Sequence, residues 1–271
     1  MIGSIKKKSK IVKRIFIGLS ILLIVAMLVL GMLWNRYLDK NSLLKKFETT
    51  QNQEIYLLGA FHEDHFNKWI NYSMEDLLSV VQKVQPDVVF LEAREQYFKD
   101  YGVVDGPIDM SVVYSYCIDN DIAVEMIDWW VVDNSFQSGT TNDKRDDMIF
   151  ANIDNKLNTI PANSKILVVC GSGHFYEQTK RFLNNGFEPQ QIQNMATYFD
   201  SQDVDFKYPV GVEDVWEQRA YFYAYTYPNI VGQDKTLDED IKSEFTEGNH
   251  DAFYQQQLEY TDLFSENELY K

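Results

Sequence analysis

Residues 164–174 read SKILVVCGSGH: an unbroken apolar run from Ile166 to Cys170, then two glycines and a histidine. An apolar run this short, with no polar residue on alternate positions and a glycine at its end, predicts a strand buried on both faces. Three further runs have the same character: Ile55 to Phe61, DVVFLEA at 87–93, and IAVEMIDWW at 122–130. Helical patterns separate them. Ser73 offers an N-cap with Asp76 three residues on, Leu77, Leu78, Val80, Val81 and Val84 follow at helical spacing, and Pro86 ends the helix. Residues 142–157 are helical by the Ile149, Ile153 and Leu157 stripe, and Phe175 to Asn185 forms another helix closed by Gly186. Strands alternating with helices predict an α/β fold, with a mainly parallel sheet covered by helices on both faces. Residues 205–271 lack clean strand signals and are expected to form a helical C-terminal extension.

With 271 residues, 45% of them hydrophobic and 14% aromatic, the chain can bury a sizeable core. Residues 15–34, IFIGLSILLIVAMLVLGMLW, carry no charge and match the thickness of a bilayer's hydrocarbon core, which predicts a single transmembrane anchor. Six basic residues precede that run (Lys6, Lys7, Lys8, Lys10, Lys13, Arg14) and four follow closely (Arg36, Lys40, Lys45, Lys46). This bias places a basic tail, 1–14, in the cytoplasm and the main domain, 53–271, outside it, with 35–52 as a stalk. The run is longer than a usual signal-peptide core and no small-x-small site follows, so the anchor is expected to stay uncleaved.

All 41 acidic residues but only 19 of the 25 basic ones follow Trp34, a net charge of −22 on that part. Such a surface repels nucleic acid. Cys170 lies in a core strand, and with Cys117 the only other cysteine, no disulfide framework is expected.

The chemistry concentrates at strand ends. Gly59-Ala60-Phe61-His62 closes the first strand and Gly171-Ser172-Gly173-His174 closes the fourth, in a chain with only four histidines. In a parallel α/β sheet the carboxyl ends of the strands line one edge where ligands bind, and a glycine there lets the backbone turn. Glu92, with Arg94 two residues on, ends the second strand on the same edge. Two histidines and a carboxylate suit a catalytic divalent metal: manganese, cobalt or zinc. Asp64 and His65 add candidate ligands, although His62-Glu63-Asp64-His65 is one residue short of the zinc-helix spacing. Glu92 is either a ligand or the general base. Arg145 falls on the stripe its helix should bury, where it holds an oxyanion or substrate carboxylate, or else pairs with Glu92 or Asp128. Gly171-Ser172-Gly173 before a helix could receive an anion.

Four segments, IYLLGAFH (55–62), PDVVFLEAR (86–94), KRDDMIFANI (144–153) and VVCGSGHFYEQTKRFL (168–183), together resemble the TraB/GumN/Tiki superfamily. The resemblance covers roughly 53–185 and implies an α/β core related to the erythromycin-esterase and ChaN-like folds. It implies a site of His62, Glu92, Arg145 and His174, and in Tiki-like members a membrane-anchored, metal-dependent protease. TraB members are linked to inhibition of peptide pheromones and ChaN-like relatives to haem or iron. This chain has Phe61 where many relatives carry Thr or Ser, and Asp146 where Asn is frequent. The expected function is therefore a metal-dependent hydrolase acting on a peptide or small-molecule amide; the alternative is a surface protein that sequesters a peptide signal, haem or a metal ion.

Overall fold

The computed structural model describes residues 16–31, 39–67, 69–135, 143–201 and 207–265. The chain divides into two compact units, Met1–Ser42 and Leu43–Lys271. In the first, residues 16–31 form helix α1, along which large apolar side chains such as Phe16, Leu22 and Leu30 are exposed. The expected membrane-spanning helix is not found: among the described residues no helix is long and apolar enough to cross a membrane. The predicted span also includes residue 15 and residues 32–34, which lie outside the described residues.

The second unit is α/β. Its strands are β1 (Leu44–Glu48), β2 (Glu54–Ala60), β3 (Val88–Arg94), β4 (Ala123–Asp128), β5 (Lys165–Gly171) and β6 (Glu188–Gln190), in the order β4-β3-β5-β2-β1-β6. The sheet is mixed. β4, β3, β5 and β2 pair in parallel, whereas β1 runs antiparallel to both β2 and β6. The segment expected to be a stalk thus supplies a strand, with Leu44 and Phe47 in the core and Lys45, Lys46 and Glu48 only half-buried.

Helices α2 (Met74–Val84), α3 (Glu95–Tyr101), α4 (Ile108–Asp119), α5 (Asp143–Leu157) and α6 (Ser172–Asn184) connect the parallel strands or follow them. Ser73 and Asp76 close α2 with a reciprocal capping box, and Gln85 ends it in a left-handed conformation just before Pro86. From β2 to β3 to β4 the chain moves toward one edge of the sheet; from β4 it returns to β5, inserted between β3 and β2. Because parallel crossovers are right-handed, this reversal puts α2 and α4 on one face and α5 and α6 on the other. The crevice at the carboxyl end of β5 is the resulting switch point.

The described part of the C-terminal extension is helical: α7 (Val212–Tyr221), a π turn at Phe222–Thr226, α8 (Tyr227–Gln233), α9 (Glu239–Thr246) and α10 (His250–Ser265). A small core of its own gathers Phe222, Tyr227, Val231, Leu237 and Ile241 around Val103.

Candidate active site: two aspartate-histidine pairs around Glu92

β3 and β5 stay in register only as far as Leu91 and Val169, and a bulge between Leu91 and Arg94 breaks the β3–β4 ladder. Bulges re-aim side chains. Here Glu92, 2% exposed, turns its carboxylate toward the end of β5. Its Oε2 accepts from the Gly171 amide at 2.5 Å and its Oε1 accepts from Arg145 Nη2 at 2.9 Å. The anion expected before α6 is thus Glu92's own carboxylate, seated where the helix N-terminus favours negative charge.

His62 enters from β2. Ala60 sits opposite Gly171, so two residues later the chain is already over the crevice. The tight turn expected at Gly59 occurs instead at His62 itself, with φ +55°. A left-handed residue costs about 1–2 kcal/mol. What holds it is Asp109, fully buried near the start of α4: its Oδ2 accepts from the His62 main-chain N–H at 3.1 Å, and both carboxylate oxygens lie 3.1–3.2 Å from His62 Nδ1. Gly59 serves packing instead, since a side chain there would press on Leu43 and Phe175 at 3.1 Å. Gly171 makes room for chemistry: a Cβ on it would run into His62 Nε2, with Glu92 Oε2 at 3.4 Å.

His174, in the first turn of α6, repeats the arrangement. Nδ1 donates to Asp146 Oδ1 at 2.7 Å, Asp146 is itself held by Gln178 Nε2 at 3.2 Å, and Nε2 stands 3.4 Å from Glu92 Oε1. Each imidazole therefore commits Nδ1 to a buried aspartate; Nε2 of His174 faces Glu92 Oε1, and Nε2 of His62 lies over Gly171, whose amide donates to Glu92 Oε2. Among the described residues, however, no group of three or more His, Cys, Asp or Glu side chains is gathered to hold a metal ion.

No protein-family model matches this chain. No curated protein and no solved structure matches it either.

Electrostatics follow from these contacts. Burial alone would lower His62, but the Asp109 charge and hydrogen bond, with Glu92 and Glu63 behind them, raise it to about 9. Burial likewise opposes charge on His174, and the Asp146 hydrogen bond with the Glu92 charge outweighs it. Burial pushes the Glu92 carboxyl up, and His174, His62 and Arg145 draw it back. At neutral pH the metal-free site thus holds a protonated His62 beside Glu92.

The other expected participants fall elsewhere. His65 is buried with both ring nitrogens in use, Nδ1 donating to Tyr72 O at 3.0 Å and Nε2 accepting from the Phe61 amide at 2.9 Å, and burial lowers its pKa. It braces the turn through these two hydrogen bonds. Asp64 is exposed. Arg94 points away from the crevice to Asp105 (2.5 Å) and Tyr223 OH (2.9 Å), stacked between Tyr97 and Trp130, and so ties the C-terminal helices to the sheet. Arg145 takes the pairing alternative with both partners: Asp128 accepts from its Nε at 2.9 Å and its Nη2 at 2.8 Å, beside the Glu92 contact. Cys117 and Cys170 are buried free thiols.

Three contributors were not singled out for the site from sequence. Asp109 could have been noticed as an aspartate inside the apolar run Ile108, Met110, Val112, Val113. Asp146 is noticed in the sequence only as a departure from the Asn frequent in the resembling family, with no sign of the histidine it holds. Arg219, stacked on Trp216 and Tyr223, donates from Nε to Gly106 O and braces the segment that leads into Asp109; the aromatic spacing around it in WEQRAYFY was the readable clue.

Proposed function

We propose that this protein is a divalent-metal-dependent hydrolase of peptide or amide bonds, with His62, His174 and Glu92 as its centre. The observation that carries this reading is the pair of Asp–His contacts flanking Glu92. A histidine whose Nδ1–H is held by a carboxylate presents Nε2 as a fixed, more basic donor, the usual outer arrangement around a metal. Two such imidazoles and one carboxylate are a donor set that fits manganese, cobalt or zinc. A bound ion would supply Lewis acidity and an activated water. The chain's own residues do the rest: Asp109 and Asp146 keep the proton on Nδ1, Arg145 and the Gly171 amide hold the Glu92 carboxylate in place, and Gly171 leaves the space His62 occupies.

The uncharged run 15–34, its basic flank and the apolar side chains exposed along α1 support an N-terminal anchor with the domain outside the cytoplasm. One observation favours a second reading, sequestration of a peptide or metal without turnover: Glu92 already satisfies Arg145 and the Gly171 amide, which blunts it as a base.

The test is cleavage of a diverse peptide library by full-length protein extracted with detergent from the membrane fraction, with manganese, cobalt or zinc added and a chelator control. Chelator-sensitive cleavage that Glu92→Gln lowers about 100-fold or more is the expected result. Cleavage insensitive to chelator, or none with any metal, would sink the metallohydrolase reading.

A further inference from the structure

A cleft among the C-terminal helices has none of Glu92, His62 or His174 in its lining. It has a volume of about 450 Å³. Phe222, 2% exposed, forms its floor, and Tyr101, Tyr221 and Tyr254 stand around it. Tyr101 packs on Phe222 with ring centres 5.4 Å apart, and Tyr221 meets Tyr254 edge-on at 88°. These contacts support the rings while Tyr101 and Tyr221 stay 47% and 55% exposed.

Two carboxylates complete the wall. Asp214 and Glu217 are one turn apart on α7, and Tyr254 OH donates to Glu217 Oε1 at 2.8 Å, which holds that carboxylate at the aromatic rim. No lysine or arginine lines the cleft, and among the described residues neither Asp214 nor Glu217 has an ion-pair partner. The backbone is also irregular here. The helix running from Val212 to Gln233 widens into a π turn at Phe222–Thr226, and both end residues of that turn face the cleft. Single π turns cost stability and recur where helices are shaped around a function.

Aromatic faces with fixed carboxylates select by charge and hydration. An anion meets two negative groups. A hard inorganic cation gains little from ring faces, and a neutral apolar molecule would desolvate the carboxylates without compensation. An organic ammonium ion satisfies all of these surfaces: its methyl or methylene groups lie on the rings, its charge is attracted to their faces, and the carboxylates neutralise it. The −22 charge of the chain beyond Trp34 raises the local concentration of such cations.

We propose that this cleft is a binding site for a small organic ammonium ion, independent of whether the Glu92 site is hydrolytic. Full-length protein in a maltoside detergent is titrated with choline and, separately, with dimethylbutanol, its uncharged isostere, by calorimetry. Choline is expected to bind saturably at one site, with the isostere about tenfold weaker or worse. Glu217→Gln and Tyr101→Ala, both at exposed positions, should weaken choline about tenfold and about threefold in protein that still melts cooperatively within a few degrees of the parent. Equal binding of choline and the isostere, choline binding unaltered by Glu217→Gln, or no saturable choline binding by protein that melts cooperatively would each overturn the proposal.

Discussion

Replacing Arg145 by alanine should destabilise the domain by about 3 kcal/mol, the lower end of the range for breaking a buried ion pair. Asp128 is 8% exposed and Glu92 2%, and both lean on this one guanidinium. Without it Asp128 has no counter-charge within ion-pair distance among the described residues, while Glu92 keeps the histidine side, so the loss is mainly the cost of uncompensated charge on Asp128 and not the modest value of the contacts. The lower end applies because the Arg145 side chain is itself 21% exposed and water can enter its place. For a domain of this size, about 3 kcal/mol corresponds to a fall of roughly 10 °C in melting temperature, measurable by circular dichroism. Arg145→Lys keeps the charge but cannot reproduce donation from Nε and Nη2 to Asp128, so it should fall between the two. A melting temperature within a degree or two of the parent for Arg145→Ala would show that the carboxylates are solvated or protonated, contrary to the geometry.

The second large effect is expected from a single methyl group. In Gly171→Ala the new Cβ collides with His62 Nε2, the outer end of a ring that is 30% exposed and so has somewhere to go. The ring should swing out, break its contact with Asp109 and leave the fold in place. A displacement of about an ångström at a reacting group costs on the order of 100-fold in rate. Metal-dependent cleavage should therefore drop about 100-fold or more, in protein that melts at a lower temperature because buried Asp109 loses its ring partner but still melts cooperatively. Gly173→Ala is the matched control: nothing lies within 4 Å of its Cβ, and inside α6 alanine should stabilise by about 0.5–1 kcal/mol with the site untouched. Full activity in Gly171→Ala would mean that His62 does not work from the position seen here.

The same geometry explains what the sequence reveals. β2, β3 and β5 are legible because strands covered on both faces must be apolar throughout, which leaves a run that no exposed element imitates. β1 is not, because near the sheet edge only Leu44 and Phe47 face the core and the intervening lysines resemble a solvated stalk. At the site, the recurrence of Gly-x-x-His locates both histidines, yet the part each glycine plays is visible only in three dimensions: Gly59 packs, His62 takes the strained turn, and Gly171 clears its ring. Asp109 lies 47 residues from the histidine it holds and Asp146 lies 28 from its own, separations that carry no local pattern. His65 misleads for the opposite reason, since proximity in sequence to His62 says nothing about ring nitrogens already spent on the main chain.

The metallohydrolase proposal requires His62 and His174 to serve one metal centre with Glu92. Calorimetric titration of chelator-treated, full-length protein with manganese, cobalt or zinc tests it most directly, comparing the parent with His62→Ala and His174→Ala. One equivalent of metal binding to the parent, and tight binding lost in both variants alike, is the predicted result; binding that survives either substitution, or no binding by the folded parent, would contradict it.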